Sequence, residues 1–224
     1  MEKIIITGSR GLIGKQLTAD LEKKYEIIEA DLQLGHDFTN EKFVQDFFKE
    51  NKADYLVNLF ALNDHIDTKR EEQTILTISL ESFEKYMQVN VTALFSVCRE
   101  FAKNNPNSSI VNFSSTYGVV PPVPAMYKGK EKHIGYPVSK AGVIMLTKVL
   151  AVSLAPNMRV NCVVPGGVEA EQNEEFKAEY SSRTPLQRMM KNGELTGIIE
   201  YLCSDKSTYA TGAVFCVDGG WTTW

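Results

Sequence analysis

The stretch Lys3–Gly14 reads KIIITGSRGLIG and joins an apolar, β-branched run to three closely spaced glycines. A short run that is apolar on both faces predicts a buried strand of a parallel sheet. Gly8, Gly11 and Gly14 have the spacing G-x-x-G-x-x-G, whereas the general dinucleotide fingerprint is G-x-G-x-x-G. Glycines permit positive φ and let the backbone approach a pyrophosphate, whose charge a helix N-terminus stabilises. The stretch therefore predicts a strand, a phosphate-binding loop and the start of a helix.

Strand-like and helix-like stretches alternate along the rest of the chain. After the first strand, short apolar runs predict strands at Tyr25–Ala30, Ala53–Phe60, Ser109–Phe113, Arg159–Val164 and Ala213–Val217. A further short strand is expected before Asp37. Apolar residues at helical spacing predict helices at Gly11–Lys24, Asn40–Glu50, Glu81–Lys103, Pro137–Leu154 and Gly193–Cys203.

This alternation builds βαβ units. The predicted fold class is α/β: a Rossmann-like, doubly wound parallel sheet with helices on both faces, in three α/β/α layers. Since no linker or repeat interrupts the pattern, residues 1–224 are expected to form a single domain. Its cofactor half would be about residues 1–110 and its catalytic and substrate half about residues 110–224.

The composition is that of an ordinary globular protein, with 43% hydrophobic and 23% charged residues and a net charge of −4. Nucleic acid is not an expected partner, because its binding needs a clustered basic face. No membrane-spanning run or signal sequence is evident, so a cytoplasmic protein is expected. The four cysteines are scattered and are expected to be buried free thiols: Cys98, Cys162, Cys203 and Cys216. No metal site is predicted.

Two acidic residues follow the loop. Asp31 ends the second predicted strand, near the roughly 20-residue interval at which an acid hydrogen-bonds the adenosine ribose. A carboxylate there repels a 2′-phosphate and favours NAD(H), whereas Arg10 could meet that phosphate or be a solvated loop cation. Asp37-Phe38-Thr39 follows the expected third strand and could contact the adenine amino group or only begin the next helix. NAD(H) is therefore favoured, with NADP(H) as the alternative.

The segment YPVSK places Tyr136 and Lys140 four residues apart, on one face of a predicted helix. A phenol with its usual pKa near ~10 is a poor base at neutral pH. A neighbouring ammonium favours the phenolate, so Lys140 is expected to lower the pKa of Tyr136. The pair could then exchange a proton with an alcohol or a carbonyl while hydride moves to or from a nicotinamide. A surface aromatic–cation pair is the alternative.

Nine segments, in order, resemble the short-chain dehydrogenase/reductase family along nearly the whole chain. They are TGSRGLIG, Asp31, Asp37, VNLFA (57–61), NVTALF (90–95), IVNFSS (110–115), YPVSK, VNCVVPGG (160–167) and VDGG (217–220). The glycine spacing is that of extended members, which carry a further substrate domain for which 224 residues leave no room. The resemblance is therefore to the compact single-domain type, with Gly11 shifted by one position.

The resemblance implies the catalytic residues. Tyr136 would be the acid/base, and Ser115 would hydrogen-bond the substrate oxygen, with Ser114 as the second choice. Lys140 would hold the ribose hydroxyls of the cofactor. Asn90 would hold a water that links Lys140 to solvent.

The resemblance also implies binding residues near the nicotinamide, where Pro165-Gly166 would turn the chain and Val168 would lie near the carboxamide. The predicted cofactor set is Gly8, Ser9, Arg10, Gly11, Leu12, Ile13, Gly14, Asp31, Asp37, Phe38, Asn58, Ala61, Tyr136, Lys140, Pro165, Gly166 and Val168. The predicted substrate set is Ser115, Tyr117, Tyr136 and Gly167. Tyr117 and Tyr127 are rival tyrosines, but neither is followed by lysine at the fourth position.

Some residues depart from the family pattern. Leu62 stands where the family's N-N-A-G ends in glycine, so the backbone near the adenosine is expected to differ. Glu169 is unexpected near a pyrophosphate, and the threonine often found there is missing. The segment between Ser115 and Tyr136 is longer than is usual in compact members.

Two segments, Leu62–Leu80 and Thr116–Gly135, interrupt the alternation and are expected to be substrate loops. The second carries a basic group at Lys128, Lys130, Lys132 and His133, which predicts either an anion-recognising lid or a solvated loop face. A weak resemblance to surface-glycan enzymes favours a sugar or nucleotide-linked sugar as substrate. A 3-oxoacyl or general ketone reductase is the alternative, and a non-catalytic NAD(P)-binding regulator a third hypothesis. The family usually forms homodimers or homotetramers, and the terminal GGWTTW could lie in an interface or pack on its own subunit.

Overall fold

The computed structural model describes residues 1–63, 74–127 and 131–224, and the first strand leads directly into the glycine loop. Six strands form one sheet in the order β2-β1-β3-β4-β5-β6, and every neighbouring pair is parallel. They are β1 (Lys3–Thr7), β2 (Glu26–Ala30), β3 (Tyr55–Asn58), β4 (Ser109–Phe113), β5 (Arg159–Pro165) and β6 (Val214–Val217). The strand order reverses beside β1, and there a doubly wound sheet opens a crevice at its carboxyl edge.

Helices cover both faces of the sheet. In the described residues they are α1 (Leu12–Leu21), α2 (Glu41–Glu50), α3 (Leu80–Met87), α4 (Leu94–Asn104), α5 (Gly135–Leu154), α6 (Glu174–Arg183) and α7 (Thr196–Leu202). Ile5 lies in the core beneath α2, α4 and α5, and its neighbours Ile4 and Ile6 lie in the opposite core beneath α1 and α7. Because both faces of the strand are buried, its sequence is apolar throughout. The predicted α/β, doubly wound fold is confirmed.

The helix predicted at Glu81–Lys103 is interrupted. α3 and α4 are joined by a π-helical turn, Gln88–Ala93, which contains Asn90. Such turns are rare and often mark functional sites. The spacing of apolar residues predicted the helix, but it does not distinguish a π turn from a regular one.

The strand expected before Asp37 is absent, and residues 31 to 37 all lie in the described part of the chain. Leu32–Leu34 instead form a 3₁₀ turn that ends at Gly35, with φ +83°. The Asp31 carboxylate caps this turn by accepting a hydrogen bond from the Gln33 N–H at 2.8 Å. A capped turn that closes within a few residues leaves no length for a strand, so the prediction was wrong.

Helix α5 is long and apolar enough to cross a membrane by length and composition alone, so the expectation that the chain holds no such run was wrong. One face of α5, including Ser139, Val143 and Thr147, is buried against the sheet. Its other apolar side chains are exposed, at Met145, Val149 and Val152. The helix therefore forms part of the layer that covers the sheet and also presents an apolar surface.

The four cysteines do not share one environment. Cys98, Cys162 and Cys203 are buried free thiols, as predicted. Cys216 is exposed, so its predicted burial was wrong. Cys216 lies on β6, which is an edge strand of the described sheet and has a neighbouring strand, β5, on one edge only.

Candidate active site

Two adjoining cavities open at the carboxyl edge of the sheet. The central cavity, of about 400 Å³, lies between the glycine loop and the ends of β4 and β5. The β2 cavity, of about 310 Å³, lies beyond the end of β2. Gly8, Gly11, Leu59 and Ala61 line both cavities. One elongated ligand could therefore cross from one cavity to the other over the glycine loop.

The glycine loop is packed too tightly for side chains. Gly8 has φ +72°, and a Cβ added there would lie 2.5 Å from the Phe60 nitrogen. A Cβ added at Gly14 would overlap the Gly8 carbonyl oxygen. Leu12, Ile13 and Gly14 line the central cavity, at the N-terminus of α1. The loop thus presents backbone and a helix N-terminus to the cavities, as a pyrophosphate requires.

Ser9 and Asp31 hold polar groups close to the loop. The Ser9 hydroxyl is buried and has no hydrogen-bond partner among the described residues. Asp31 lines the β2 cavity, and its carboxylate accepts N–H groups from Arg10 at 3.0 Å and Gln33 at 2.8 Å. The backbone cradle, the unpaired hydroxyl and the positioned carboxylate fit a nicotinamide dinucleotide.

Asp37 and Phe38 also line the β2 cavity. Asp37 accepts hydrogen bonds from both the backbone N–H and the hydroxyl of Thr39. The actual cap of α2 is Asn40, whose side chain accepts the Phe43 N–H at 3.1 Å. Asp37 thus forms a turn before the helix and still faces the predicted adenine position.

Tyr136, Ser115 and Lys140 meet in the central cavity. Tyr136 and Lys140 lie on the first turns of α5, and Ser115 is the second residue after β4. The Lys140 Nζ donates to the Phe113 carbonyl at 2.9 Å and lies 5.9 Å from the Tyr136 ring centroid. All three side chains are buried. Residues distant in sequence thus form one compact polar group.

Burial dominates the electrostatics of this group. It lowers the pKa of Lys140 to about 8. It raises the pKa of Tyr136 above its usual value, and the side chain of Ser115 opposes that shift. The expected direction, a Tyr136 pKa lowered by Lys140, is therefore not the one found. The reason is that burial of the Tyr136 phenol disfavours its charged form, and this outweighs the opposing hydrogen bond of Ser115.

The structure distinguishes the two candidate serines. The Ser114 hydroxyl donates to the Lys140 carbonyl at 2.7 Å and thereby ties β4 to α5. The Ser115 hydroxyl accepts the Tyr117 N–H at 3.2 Å and faces the cavity beside Tyr136. Both serines line the central cavity, but the Ser114 hydroxyl is engaged by the Lys140 carbonyl, so Ser115 is the better placed of the two to contact a ligand.

Asn90 and Asn58 make contacts that the sequence did not indicate. The Asn90 amide accepts the Leu62 N–H at 2.7 Å and donates to the Leu62 carbonyl and the Ser139 hydroxyl. Leu62 stands at the position of the family glycine, and Asn90 holds the backbone there at both its N–H and its carbonyl. Asn58 is buried among core side chains, where it bonds Thr7 and Asn112 at 2.9 Å. Both ends of its amide are engaged within the sheet and neither cavity lining includes it, so its cofactor contact stays a prediction.

The segment after β5 closes the central cavity. Pro165, Gly166, Gly167 and Val168 line it, so they stay candidates for the predicted cofactor and substrate contacts. The Gly167 N–H donates to the Tyr180 hydroxyl at 2.5 Å. The unexpected Glu169 pairs with Lys177 at 3.3 Å, so its charge is partly balanced within this segment.

The sequence analysis missed α6 and the side chains it brings to the cavity. Tyr180 and Phe176 of α6 line the cavity together with Gln172, Met189, Asn63 and Tyr127. Tyr180 stacks on Trp221 at 4.3 Å, so this part of GGWTTW packs on its own chain, while Trp224 is exposed. The signal for α6 was present in Asn173, which caps the helix ahead of two glutamates.

The described part of the predicted basic group is divided. Lys132 lines the central cavity, donates to the Asn63 side chain at 2.6 Å and lies 4.6 Å from the Tyr136 ring centroid. His133 is buried, accepts the Gly135 N–H at Nδ1 and bonds Ser82 through Nε2. Lys128 and Lys130 lie outside the described residues. His133 is therefore a structural residue, and Lys132 is the cation that faces the cavity.

The fold and this site together define a class of protein, the nicotinamide-dependent α/β oxidoreductases. The family model described as Enoyl-(Acyl carrier protein) reductase matches residues 5–222. The chain therefore belongs to the short-chain dehydrogenase/reductase family and is an NAD(P)-dependent dehydrogenase/reductase.

Individual relatives differ in the substrate that their names give. The chain is 31% identical to the 3-oxoacyl-(acyl-carrier-protein) reductase FabG of Aquifex aeolicus, over 97% of this chain and 86% of that protein. It is also 31% identical to glucose 1-dehydrogenase 2 of Bacillus subtilis, over 65% of this chain and 57% of that protein. A short-chain dehydrogenase from Leptospira borgpetersenii with bound NAD+ is similar in structure, with a TM-score of 0.87, 28% identity and coverage of 99% and 92% of the two chains.

Proposed function

We propose that the central cavity transfers hydride between a nicotinamide and a carbonyl or secondary alcohol, with Tyr136 as the acid/base. The observation that supports this most directly is the meeting of Ser115, Tyr136 and Lys140 in a cavity continuous with the glycine loop. The loop Gly8–Gly14 would hold the pyrophosphate, Asp31 the adenosine ribose, and Pro165–Val168 the nicotinamide. When bound, the nicotinamide supplies the hydride acceptor or donor.

The protein side chains manage the proton. In the reductive direction the Tyr136 hydroxyl donates its proton to the carbonyl oxygen, and in the oxidative direction the phenolate accepts it from the alcohol. Ser115 hydrogen-bonds the same oxygen and orients it. Burial keeps the Tyr136 phenol protonated at neutral pH, which suits reduction. Lys140, whose pKa is close to 8, would hold the ribose hydroxyls and exchange protons near neutral pH.

We further propose a preference for NAD(H). The β2 cavity presents the carboxylates of Asp31 and Asp37, and a 2′-phosphate would be repelled by both. Binding of NADH and NADPH can be compared directly from the change in cofactor fluorescence. A tighter complex with NADPH would contradict this preference.

The leading substrate proposal is a sugar or a nucleotide-linked sugar of a surface-glycan pathway. Support comes from the polar, aromatic lining of the central cavity, where the Tyr117 and Tyr127 hydroxyls lie 2.7 Å apart and Gln172 is adjacent. Aromatic faces with nearby hydroxyl and amide groups suit a polyhydroxylated ligand. Lys132, at the same cavity, suits an anionic group such as a diphosphate.

A 3-oxoacyl substrate is the second candidate. It is supported by the similarity to a 3-oxoacyl reductase and by an apolar groove of about 240 Å³ beside the cavity. The groove includes Ile75, Ile78 and Ile134 and shares Tyr127 and Lys132 with the central cavity. An acyl chain would find apolar walls there.

A substrate panel distinguishes these proposals. Free aldoses, nucleotide-linked sugars and a 3-oxoacyl thioester would be tested with each nicotinamide cofactor in its matching oxidation state. The Tyr136→Phe variant serves as the blank for each reaction. Highest kcat/KM with a nucleotide-linked sugar would support the first proposal, and highest kcat/KM with the thioester would support the second. Cofactor binding without any turnover across the panel would favour a non-catalytic regulator.

We also propose a domain organisation, a location and an oligomeric state for the chain. All six strands belong to one sheet, which supports a single domain of residues 1–224 with a cofactor half and a catalytic half. The buried free thiols support a reducing, cytoplasmic location. The exposed apolar side chains of α5 support a homodimer or homotetramer, which size-exclusion chromatography at several concentrations would test.

A further inference from the structure

The loop after β1 is tied to the end of β2. The Gly8 N–H donates to the Ala30 carbonyl at 2.8 Å, and Ile6 pairs with Glu29 in the parallel register. The Arg10 N–H donates to the Asp31 carboxylate at 3.0 Å. The backbone of Arg10 is therefore fixed at the rim of the β2 cavity.

The Arg10 side chain is held from a second point. Its Nη2 lies 3.0 Å from the Glu29 Oε1, and the two side chains are 40% and 29% exposed. Its Nε is buried and has no hydrogen-bond partner in the described part of the chain. The guanidinium is thus directed along β2 toward Glu29.

The described lining of the β2 cavity has a negative balance. It contains the Asp31 and Asp37 carboxylates, with His36 as the one basic side chain and no lysine or arginine among those described residues. A phosphate on the adenosine ribose needs a cation, most effectively an arginine that binds it with two N–H groups. Arg10 lies in the adjoining glycine loop with its backbone N–H on the Asp31 carboxylate, and Glu29 already engages its guanidinium.

We propose that Glu29 is a positioning residue for cofactor choice, which holds Arg10 away from the adenosine ribose so that the chain selects NAD(H) over NADP(H). The inference rests on the proposed function, in which Asp31 holds that ribose. Two effects combine: carboxylates remain at the ribose, and the Arg10 guanidinium is held away from it. The Arg10–Glu29 pair is partly exposed, so removing Glu29 leaves Arg10 free to turn toward a phosphate at little cost in stability.

The test is the ratio of the dissociation constants for NADPH and NADH, measured by calorimetry on the full chain. Glu29→Gln is expected to tighten NADPH binding about tenfold while NADH binding changes less than about twofold, as one added charge-assisted hydrogen bond implies. Arg10→Met alone is expected to leave the ratio unchanged. The double variant Glu29→Gln/Arg10→Met is expected to lose the gain.

Glu26→Gln is the matched control, because Glu26 lies on the same strand and pairs with Lys3 at 2.8 Å, away from the cavity. It should leave the ratio unchanged, whereas a purely structural role of Glu29 would weaken both cofactors equally. The inference is overturned if Glu29→Gln leaves the ratio unaltered, or if the double variant keeps the gain. Selective loss of NADPH binding in Arg10→Met would also overturn it, and this arm does not depend on the folding of the Glu29 variant.

Failure of the proposed function gives a different result. If the wild-type chain binds neither cofactor, the oxidoreductase assignment of these cavities fails. If it binds and turns over both with an unchanged ratio in every variant, the oxidoreductase assignment stands and the role of Glu29 is wrong.

Discussion

The two cavities hold their polar groups in different ways. At the β2 cavity, two N–H groups hold the Asp31 carboxylate. That of Gln33 comes from the turn that Asp31 caps, and that of Arg10 comes from the neighbouring glycine loop. At the central cavity, Ser115 lies just after β4, whereas Tyr136 and Lys140 lie on α5. Burial shifts the pKa values of Tyr136 and Lys140. The first arrangement holds a carboxylate in a fixed position, as the anchoring of a ligand would need. The second buries titratable groups and shifts their pKa values, which is common where proton transfer takes place.

The largest expected effect is on kcat, when the acid/base at the central cavity is removed and the β2 cavity is left intact. Tyr136→Phe is expected to lower kcat by about 10²–10⁴-fold, since it removes a general acid/base. The dissociation constant for the reduced cofactor should change by less than about threefold, because the anchoring end is untouched. Steady-state kinetics and fluorescence titration measure the two quantities. Tyr209→Phe, at a fully exposed tyrosine, is the control, and unchanged turnover in Tyr136→Phe would falsify the catalytic assignment.

In the glycine loop we expect the opposite result, a loss of cofactor affinity. In Gly14→Ala the new Cβ overlaps the Gly8 carbonyl oxygen and the Ser9 backbone, so the loop must move. We expect cofactor affinity to fall at least about tenfold. Gly197→Ala is the matched control, because a Cβ there meets nothing within 4 Å. Cofactor affinity equal in the two variants would contradict the pyrophosphate role of the loop.

The burial of Lys140 should appear in the pH dependence of stability. The pKa of Lys140 is about 8 in the folded chain, against its ordinary value of 10.5 in the unfolded chain. Between these pH values Lys140 therefore binds fewer protons in the folded state than in the unfolded state. Its contribution to the free energy of unfolding therefore rises with pH in that window. The difference between wild type and Lys140→Met should grow by about 2 kcal/mol from pH 8 to pH 9.5. Urea denaturation of both chains at each pH cancels the titration of the other groups, and a constant difference would show that Lys140 is not desolvated.

The smallest effect distinguishes two adjacent serines at the central cavity. Ser114→Ala removes the bond to the Lys140 carbonyl and should lower the free energy of unfolding by about 1 kcal/mol with little change in kcat. Ser115→Ala should do the reverse, with kcat lowered about tenfold or more and stability retained. Ser109→Ala is the control, since the Ser109 hydroxyl makes no hydrogen bond in the described residues. Equal effects of Ser114→Ala and Ser115→Ala on kcat would remove the distinction between them.

Local patterns predicted the parts of the fold whose causes are local. The glycine spacing and the Tyr136–Lys140 spacing predicted the loop and one face of α5, because each depends on residues a few positions apart. The prediction of a strand before Asp37 was wrong because a short capped turn and a short strand have similar compositions. Helix α6 was missed because it has little apolar periodicity, although its Asn173 cap was visible.

The roles of Asn58, Asn90 and Ser114 could not be read from the sequence. Each is decided by a partner far along the chain: Asn112 for Asn58, Leu62 for Asn90, and Lys140 for Ser114. The same holds for the pKa of Tyr136, which depends on how much of the cavity wall excludes water. Such quantities arise from packing, and packing has no signature in residue spacing.

The sequence alone determined the α/β class, the glycine loop Gly8–Gly14 and the pairing of Tyr136 and Lys140 on one helix face, because hydrophobic periodicity and fixed spacing are properties of one segment. The tertiary structure alone decided where charges point. Arg10 could have faced a ligand or solvent, and the parallel pairing of β1 with β2 instead sets it against Glu29. The physical reason is that an ion pair between the loop after one strand and a residue of the next strand depends on how the two strands pair, which no single segment contains.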